Sequence, residues 1–309
     1  MKHLVILDSN SIIHRAFHAL PPLTAKNGEL VNAVYGFLLV FIKVIKELKP
    51  DYLAATFDLP GKTFRHDEFK EYKAKRPPMQ EGLIPQFSGV KEFLKVFSVK
   101  IFEKTGFEAD DMIGTIVEKI TKGGKGEDVL ITIVSGDMDI LQLVNERTKV
   151  YFLRRGVKDA ALYGRKDVEE KYGLAPDQIS FFKGLRGDTS DNIPGVKGVG
   201  EKTAIKLIQD FRDMEHLYGE LEGDKDGNGK ISPKLKETLL KSKEMAFLSK
   251  RLGELKKDVP FDFDLDGCSF GSYDKESVRQ LFEKFGFRSL VDKFLEAGKN
   301  EPKKNLSLW

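Results

Sequence analysis

The residues most able to do chemistry are nine carboxylates gathered in four places: Asp8; Asp58; Glu108, Asp110 and Asp111; then Asp137 and Asp139, with Asp188 and Asp191 further on. Several of them close an apolar, strand-like run, as in HLVILD, YLAATFD and VLITIVSGD. Like charges a few ångströms apart repel and raise one another's pKa, so stability alone gives no reason to gather them. Divalent cations that prefer oxygen ligands would turn the repulsion into binding. Two such ions about 4 Å apart can clamp a phosphate, one activating water and the other steadying the departing oxygen. Taken singly, the acids have plainer explanations. Asp8 or Asp58 would serve as a helix N-cap, and Glu108 to Asp111 would suit the positive end of a helix dipole. Asp137-x-Asp139 follows the most hydrophobic strand, and Asp188-x-x-Asp191 sits in a Gly-flanked turn. Together the four places predict one shared site for two or more Mg²⁺ or Mn²⁺ ions. Mg²⁺ keeps several waters, so some of the nine would act from behind the direct ligands.

Competing chemistries are absent from the sequence. There is no Ser/His/Asp arrangement, and the lone cysteine, Cys268, excludes an internal disulfide and fits a reducing compartment. His14 and His18 lack the glutamate of a metalloprotease helix, and a packed helix face accounts for them. Asp224 to Ser232 imitates the start of a calcium-binding loop, but Leu235 stands where the bidentate glutamate belongs, so a turn is expected there.

Two basic stretches accompany the acids. Lys62 to Arg76, KTFRHDEFKEYKAKR, carries six Lys/Arg against three acids, interleaved with Phe64, Phe69 and Tyr72. Cations neutralise phosphates and aromatic faces stack exposed bases, a combination that holds single strands. A solvated amphipathic helix explains the composition equally well, but its place just after Asp58 favours the binding role, with Lys73 and Arg76 reaching a metal-held phosphate. The second stretch is Gly195-Val-Lys197-Gly198-Val-Gly200, followed by Glu201-Lys202 and Lys206. It follows a helix and Pro194 rather than a strand, which excludes a dinucleotide fingerprint. It suits a helix-hairpin-helix that grips duplex backbone irrespective of sequence, and a purely structural αα-turn is the plain alternative.

These groups must be held by elements. Residues 3–8, 51–57, 98–102, 128–134 and 148–153 read as strands, and helical patterns fall near 30–48, 83–96, 108–121 and 139–145. The alternation predicts an α/β fold with a mostly parallel sheet and helices on both faces. From about residue 165 short amphipathic helices dominate (166–172, 176–185, 200–211, 213–220, 233–250), then 274–297 and a polar tail. The longest apolar run, Phe37 to Ile45, is too short to span a bilayer. A net charge of +3 with nine acids in one place leaves a more basic remainder, suited to a polyanion. The chain is expected to be soluble, cytoplasmic and monomeric, without a membrane partner.

The segments RAFHALPPL, AVYGF, FRHDEFKEYKAKRPPM, GFEADDMIGT, SGDMDILQLV, KYGLAPDQI and GDTSDNIPGVKGVGEKTA run in order over nearly the whole chain. By these the chain resembles the 5′-nuclease domain found at the N-terminus of bacterial DNA polymerase I, within the flap endonuclease group. The resemblance implies a PIN-like α/β core over 1–165, a helical arch at about 61–90, and a helical lobe over 166–296. It implies a helix-hairpin-helix at about 184–212, with K⁺ beside its loop, and a polar tail over 297–309. It places the metal ligands on the nine carboxylates, catalytic charge on Lys73 and Arg76, and arch contacts on Phe64, Arg65, Tyr72, Lys73 and Arg76. Arg15 falls where the family has a phosphate contact. The implied activity is two-metal cleavage of DNA at 5′ flaps, nicks and ends. A PIN-type ribonuclease and an inactive branched-DNA binding module are the alternatives. Met138 departs from the pattern, standing where relatives commonly carry lysine.

Overall fold

The computed structural model describes residues 1–123, 128–223 and 229–297. The calcium-like loop and the polar tail fall largely outside them. The β-α alternation builds one six-stranded sheet from β1 (Lys2–Asp8), β2 (Tyr52–Thr56), β3 (Lys100–Phe102), β4 (Val129–Ser135), β5 (Thr148–Arg155) and β6 (Asp159–Tyr163). The order is β3-β2-β1-β4-β5-β6. The first five strands are parallel and β6 is antiparallel to β5. Along β1, Val5 and Leu7 enter one layer of core while Leu4 and Ile6 enter the other. A strand buried on both faces reads as continuous hydrophobicity rather than alternation.

One face is covered by α1 (Ser9–Ala19), α2 (Asn32–Leu48) and α4 (Ile84–Val96), the other by α5 (Ala109–Lys122) and the segment carrying Leu255, Val259 and Cys268. Between β2 and α4 lies the short α3 (Phe64–Glu68). After β6 come α6 (Arg165–Tyr172), α7 (Ile179–Arg186), α8 (Glu201–Asp210), α9 (Met214–Glu222), α10 (Pro233–Lys241) and α11 (Lys243–Gly253). Helices α7 to α11 share a separate core around Leu185, Leu207, Met214, Leu217 and Ala246. The chain ends in α12 (Lys275–Lys284) and α13 (Arg288–Ala297). Among the described residues no helix is long and apolar enough to cross a membrane.

Four differences from the sequence expectation have local causes. The edge strand β6, DAALY, is only half-buried and carried no strand signal. The helix expected over 233–250 breaks at Ser242, and that over 274–297 breaks at Gly286, which adopts φ +77. Asp139–Leu143 is a 3₁₀ turn rather than an α-helix. Finally, α12 and α13 leave the helical lobe. Their Phe282 and Phe294 pack with Phe97 against the α2/α4 layer, because an aromatic stripe finds more apolar surface there than on the smaller lobe.

The sheet order fixes the site. From β1 the chain builds β2 and β3 on one side and β4 and β5 on the other, so the connections diverge at the carboxyl ends of β1 and β4. In open α/β sheets that divergence opens the ligand crevice.

Candidate metal centre and nucleic-acid interface

Asp8 ends β1, Asp58 lies two residues beyond β2, and Asp137 lies two beyond β4. Asp110 enters from the first turn of α5. Asp8, Asp58, Glu108, Asp110 and Asp137 line a cavity of about 690 Å³. Asp8 does two jobs: its Oδ1 accepts the Ser11 N–H as N-cap of α1, and its Oδ2 accepts the Ser135 hydroxyl. Burial pushes its carboxyl up to about 7 against those hydrogen bonds, helped by Asp137 and Asp58. At the mouth, Asp58 accepts from Asn10 Nδ2 at 2.8 Å and from the Ala109 N–H at 2.7 Å. Asp110 is held well above the usual carboxylate range by burial and then by Asp8, Asp137, Asp58 and Asp139. Asp8, Asp58, Asp110 and Asp137 converge on one cavity, and like charges gathered so closely are the arrangement a hard cation relieves. An all-oxygen donor set suits a divalent cation that prefers oxygen ligands.

The remaining acids are already paired. Asp139, Asp188 and Asp191 bring ligand oxygens within 4.8 Å of one another, the spacing of a second cation position. Into that triad projects the buried Lys183 of α7, which bridges Asp139 and Asp188, the latter at 2.7 Å. Burial acts to raise Asp188, but Lys183 and Ser190 prevail and hold it at about 2. No sequence signal singled out Lys183; the only clue was a lysine in the otherwise apolar helix ISFFKGLR. Breaking a buried ion pair from one side costs about 3–5 kcal/mol. Lys183→Met is therefore expected to destabilise the metal-free protein by roughly that amount and to enlarge the gain from Mn²⁺, because the competing ammonium is gone. Urea melts with and without Mn²⁺ check this; equal Mn²⁺ gains in both proteins would refute it.

The segment expected to arch folds down onto the acids. Over 61–90 it is helical only in α3 and the start of α4, with turns between. Lys73, with φ +55, donates its N–H to the Asp191 carbonyl and its ammonium to Glu108 Oε1 at 2.7 Å. Arg76 pairs with Asp191. The Tyr72 hydroxyl lies 3.1 Å from Glu108 Oε2 and 3.2 Å from Asp191 Oδ2. Burial, and then the two acids, push its pKa upward. Lys73 and Arg76 thus sit at the cavity wall, while Tyr72 is 3% exposed and faces the acids rather than solvent.

Four expected site residues are engaged within the protein. Arg65 is 1% exposed and forks onto Asp111 through Nη1 and Nη2, each at 2.8 Å, so it offers no charge to DNA in this conformation. Asp111 is fully buried, and its two oxygens accept from Arg65, the Lys256 N–H and the Glu108 N–H. A carboxylate has about four acceptor positions, so Asp111 has none left for a cation and leaves the candidate metal set. Gly195 is buried with φ +62, and a Cβ there would meet the Gly187 nitrogen at 2.3 Å; its N–H donates to Ser249. It shapes the hairpin, and its N–H is already engaged within the protein. Phe64 is half-buried against Phe107 and lies under the Arg65 guanidinium.

The hairpin itself joins α7 to α8. Lys197, Gly198, Gly200, Lys202 and Lys206 are exposed on it, and a Cβ at Gly198 or Gly200 would meet nothing. Arg15 lies on the cavity wall, donating to the carbonyls of Arg154 and Gly136. His14, Arg154 and Arg155 line the same wall and were not anticipated as site residues.

Residues 3–173 match the model described as 5′-3′ exonuclease, N-terminal resolvase-like domain, and residues 174–276 match its C-terminal SAM fold. The chain belongs to the 5′-3′ exonuclease family. It is 39% identical over 306 residues to DNA polymerase I of Bacillus caldotenax, covering 99% of this chain and 34% of that protein. It is 40% identical over 295 residues to DNA polymerase I of Bacillus subtilis strain 168, covering 96% and 32%. The chain thus spans about a third of the length of these curated relatives. Among solved structures, the zinc-bound T5 5′-exonuclease superposes with a TM-score of 0.64 at 20% identity, covering 96% of this chain and all of that one. The catalytic core of Rad2 in complex with a DNA substrate gives 0.57 at 15%, covering 96% and 92%. At such identities these two show the fold, and they place the sheet and the helical lobe in the exonuclease architecture.

Proposed function

We propose that this exonuclease-family chain cleaves DNA phosphodiesters at 5′ flaps, nicks and ends with Mg²⁺ or Mn²⁺. The observation that carries the proposal is Asp110 among Asp8, Asp58 and Asp137, with Lys73 and Arg76 on the same cavity wall. Ions held by Asp8, Asp58, Glu108, Asp110 and Asp137, and by the Asp139/Asp188/Asp191 triad, would supply an activated water and neutralise charge on the scissile phosphate. The protein's own part is positioning and electrostatics. When a phosphate enters, Lys73 and Arg76 exchange Glu108 and Asp191 for its oxygens and stabilise the charge that builds there. Arg15 offers a guanidinium to the neighbouring phosphate. The exposed Lys197, Lys202 and Lys206, with the open backbone at Gly198 and Gly200, hold duplex backbone without reading sequence, and the same loop accommodates K⁺. We assign catalysis to residues 1–165 and duplex holding to the helical lobe after 166, in a cytoplasmic monomer.

One gel tests this. A 5′-labelled flap should be cut with Mg²⁺ and left intact with EDTA, with blunt duplex and a matched RNA flap cut more slowly. Equal cutting of RNA would favour the ribonuclease alternative. Tight flap binding without cutting would favour an inactive binding module.

A further inference from the structure

Arg65 is a buried, fully engaged ionisable side chain beside the site. A guanidinium carries five N–H donors in a planar fork. Nε donates to the Leu252 carbonyl at 2.9 Å, Nη1 to Asp111 at 2.8 Å and Glu108 at 3.4 Å, and Nη2 to Asp111 at 2.8 Å and the Glu254 carbonyl at 2.9 Å. All five donors are used. The two carbonyls belong to the last residues of α11 and the step beyond it, where helix carbonyls have no partner of their own. Asp111 in turn accepts the backbone N–H of Glu108 at 3.1 Å and that of Lys256 at 2.9 Å. Glu108 is thereby held twice from behind, through its backbone by Asp111 and through its side chain by Arg65. The next residue, Ala109, donates its N–H to Asp58, and Asp110 follows it into the cavity.

From this we infer that Arg65, with Asp111, is a positioning pair for the metal centre: it fixes the first turn of α5, and so Glu108 and Asp110, against the end of α11. The pair touches neither substrate nor ion. Small residues or a lysine at 65 cannot replace the fork, because an ammonium has three donors and no planar geometry. The inference rests on the metal-dependent reading of the cavity, and goes beyond it by giving a buried residue a measurable effect on ion binding.

The test uses Arg65→Lys and Asp111→Asn in the full chain, with three readouts: Mn²⁺ binding by calorimetry at low temperature, flap-DNA binding in EDTA by fluorescence anisotropy, and the Mg²⁺ dependence of turnover. The expected result is a weakening of Mn²⁺ binding by about tenfold in both variants, the lower end of what loss of a ligand-orienting partner costs, a matching rise in the Mg²⁺ needed for half-maximal turnover, and DNA binding in EDTA within about twofold of the unaltered protein. Weakened DNA binding with unchanged Mn²⁺ binding would overturn the inference and make Arg65 a DNA contact. A lowered melting temperature with unchanged Mn²⁺ binding would overturn it in favour of a purely structural role. If Arg65→Lys does not fold, Asp111→Asn, which keeps the side-chain shape, decides alone. If the unaltered protein binds Mn²⁺ but cuts no flap, the proposed function fails while the Mn²⁺ comparison still judges the pair.

Discussion

Asp110→Asn is expected to leave a folded protein whose flap cleavage falls by about a thousandfold, equivalent to roughly 4 kcal/mol of transition-state stabilisation. The size follows from where Asp110 stands. It faces Asp8, Asp58, Asp137 and Asp139, and no ion pair neutralises it among the described residues. Its charge therefore has no structural use, and an amide of the same shape removes only the charge that would bind a cation. For the same reason the fold should not suffer. Removing one like charge from a desolvated cluster relieves repulsion, so the metal-free variant is expected to melt at or above the temperature of the metal-free unaltered protein. With Mg²⁺ the order should reverse, because anything that binds only the folded state adds stability in proportion to its occupancy. Turnover measured on a labelled flap, alongside melts with and without Mg²⁺, checks both halves. Near-normal turnover, or a metal-free variant that melts far lower, would remove Asp110 from the centre of the site.

The acids were legible because each strand announces its own end. HLVILD, YLAATFD and VLITIVSGD show an apolar run and then a carboxylate, and parallel pairing of β1 with β2 and β4 brings those ends together. What the chain order could not reveal is which acids keep a cationic partner. Arg65 lies in a stretch as polar as any solvated helix, yet its five hydrogen bonds go to four residues at positions 108, 111, 252 and 254. Its burial depends on α11 closing over α3, a contact between residues some 190 apart in sequence. Lys183 shows the same limit: one lysine in an apolar helix signals nothing until the loop with Asp188 turns back beside β4. Gly195 is a third case. A glycine there admits a left-handed backbone, but the close approach to Gly187 that requires it is tertiary.

Stripped of divalent ions, the protein is expected to lose stability as pH rises from about 4 to about 7, and to recover it when Mg²⁺ is added at the upper end. Asp8 sets the sign. Its carboxyl ordinarily titrates near 3.8, and burial lifts it to about 7 in the folded chain. Between those values the folded state holds a proton that the unfolded state has released. Stability then falls with pH, because it rises only where the unfolded state binds more protons. The cost starts as pH passes the unfolded value and is complete above the folded one. At about 1.4 kcal/mol per pKa unit, Asp8 alone accounts for something on the order of 4 kcal/mol, and Asp110 shifts in the same direction. For a chain of this size that corresponds to a fall of about 10 °C in melting temperature. A bound cation needs the carboxylates deprotonated, so its affinity must climb over the same interval and its binding must release protons. Calorimetry of Mn²⁺ binding at pH 7 in two buffers of different ionisation enthalpy should therefore show different apparent heats, and Asp8→Asn should shrink the difference. A metal-free melting temperature that is flat from pH 4 to 8, or heats independent of buffer, would mean that these side chains are already ionised and do not await a cation.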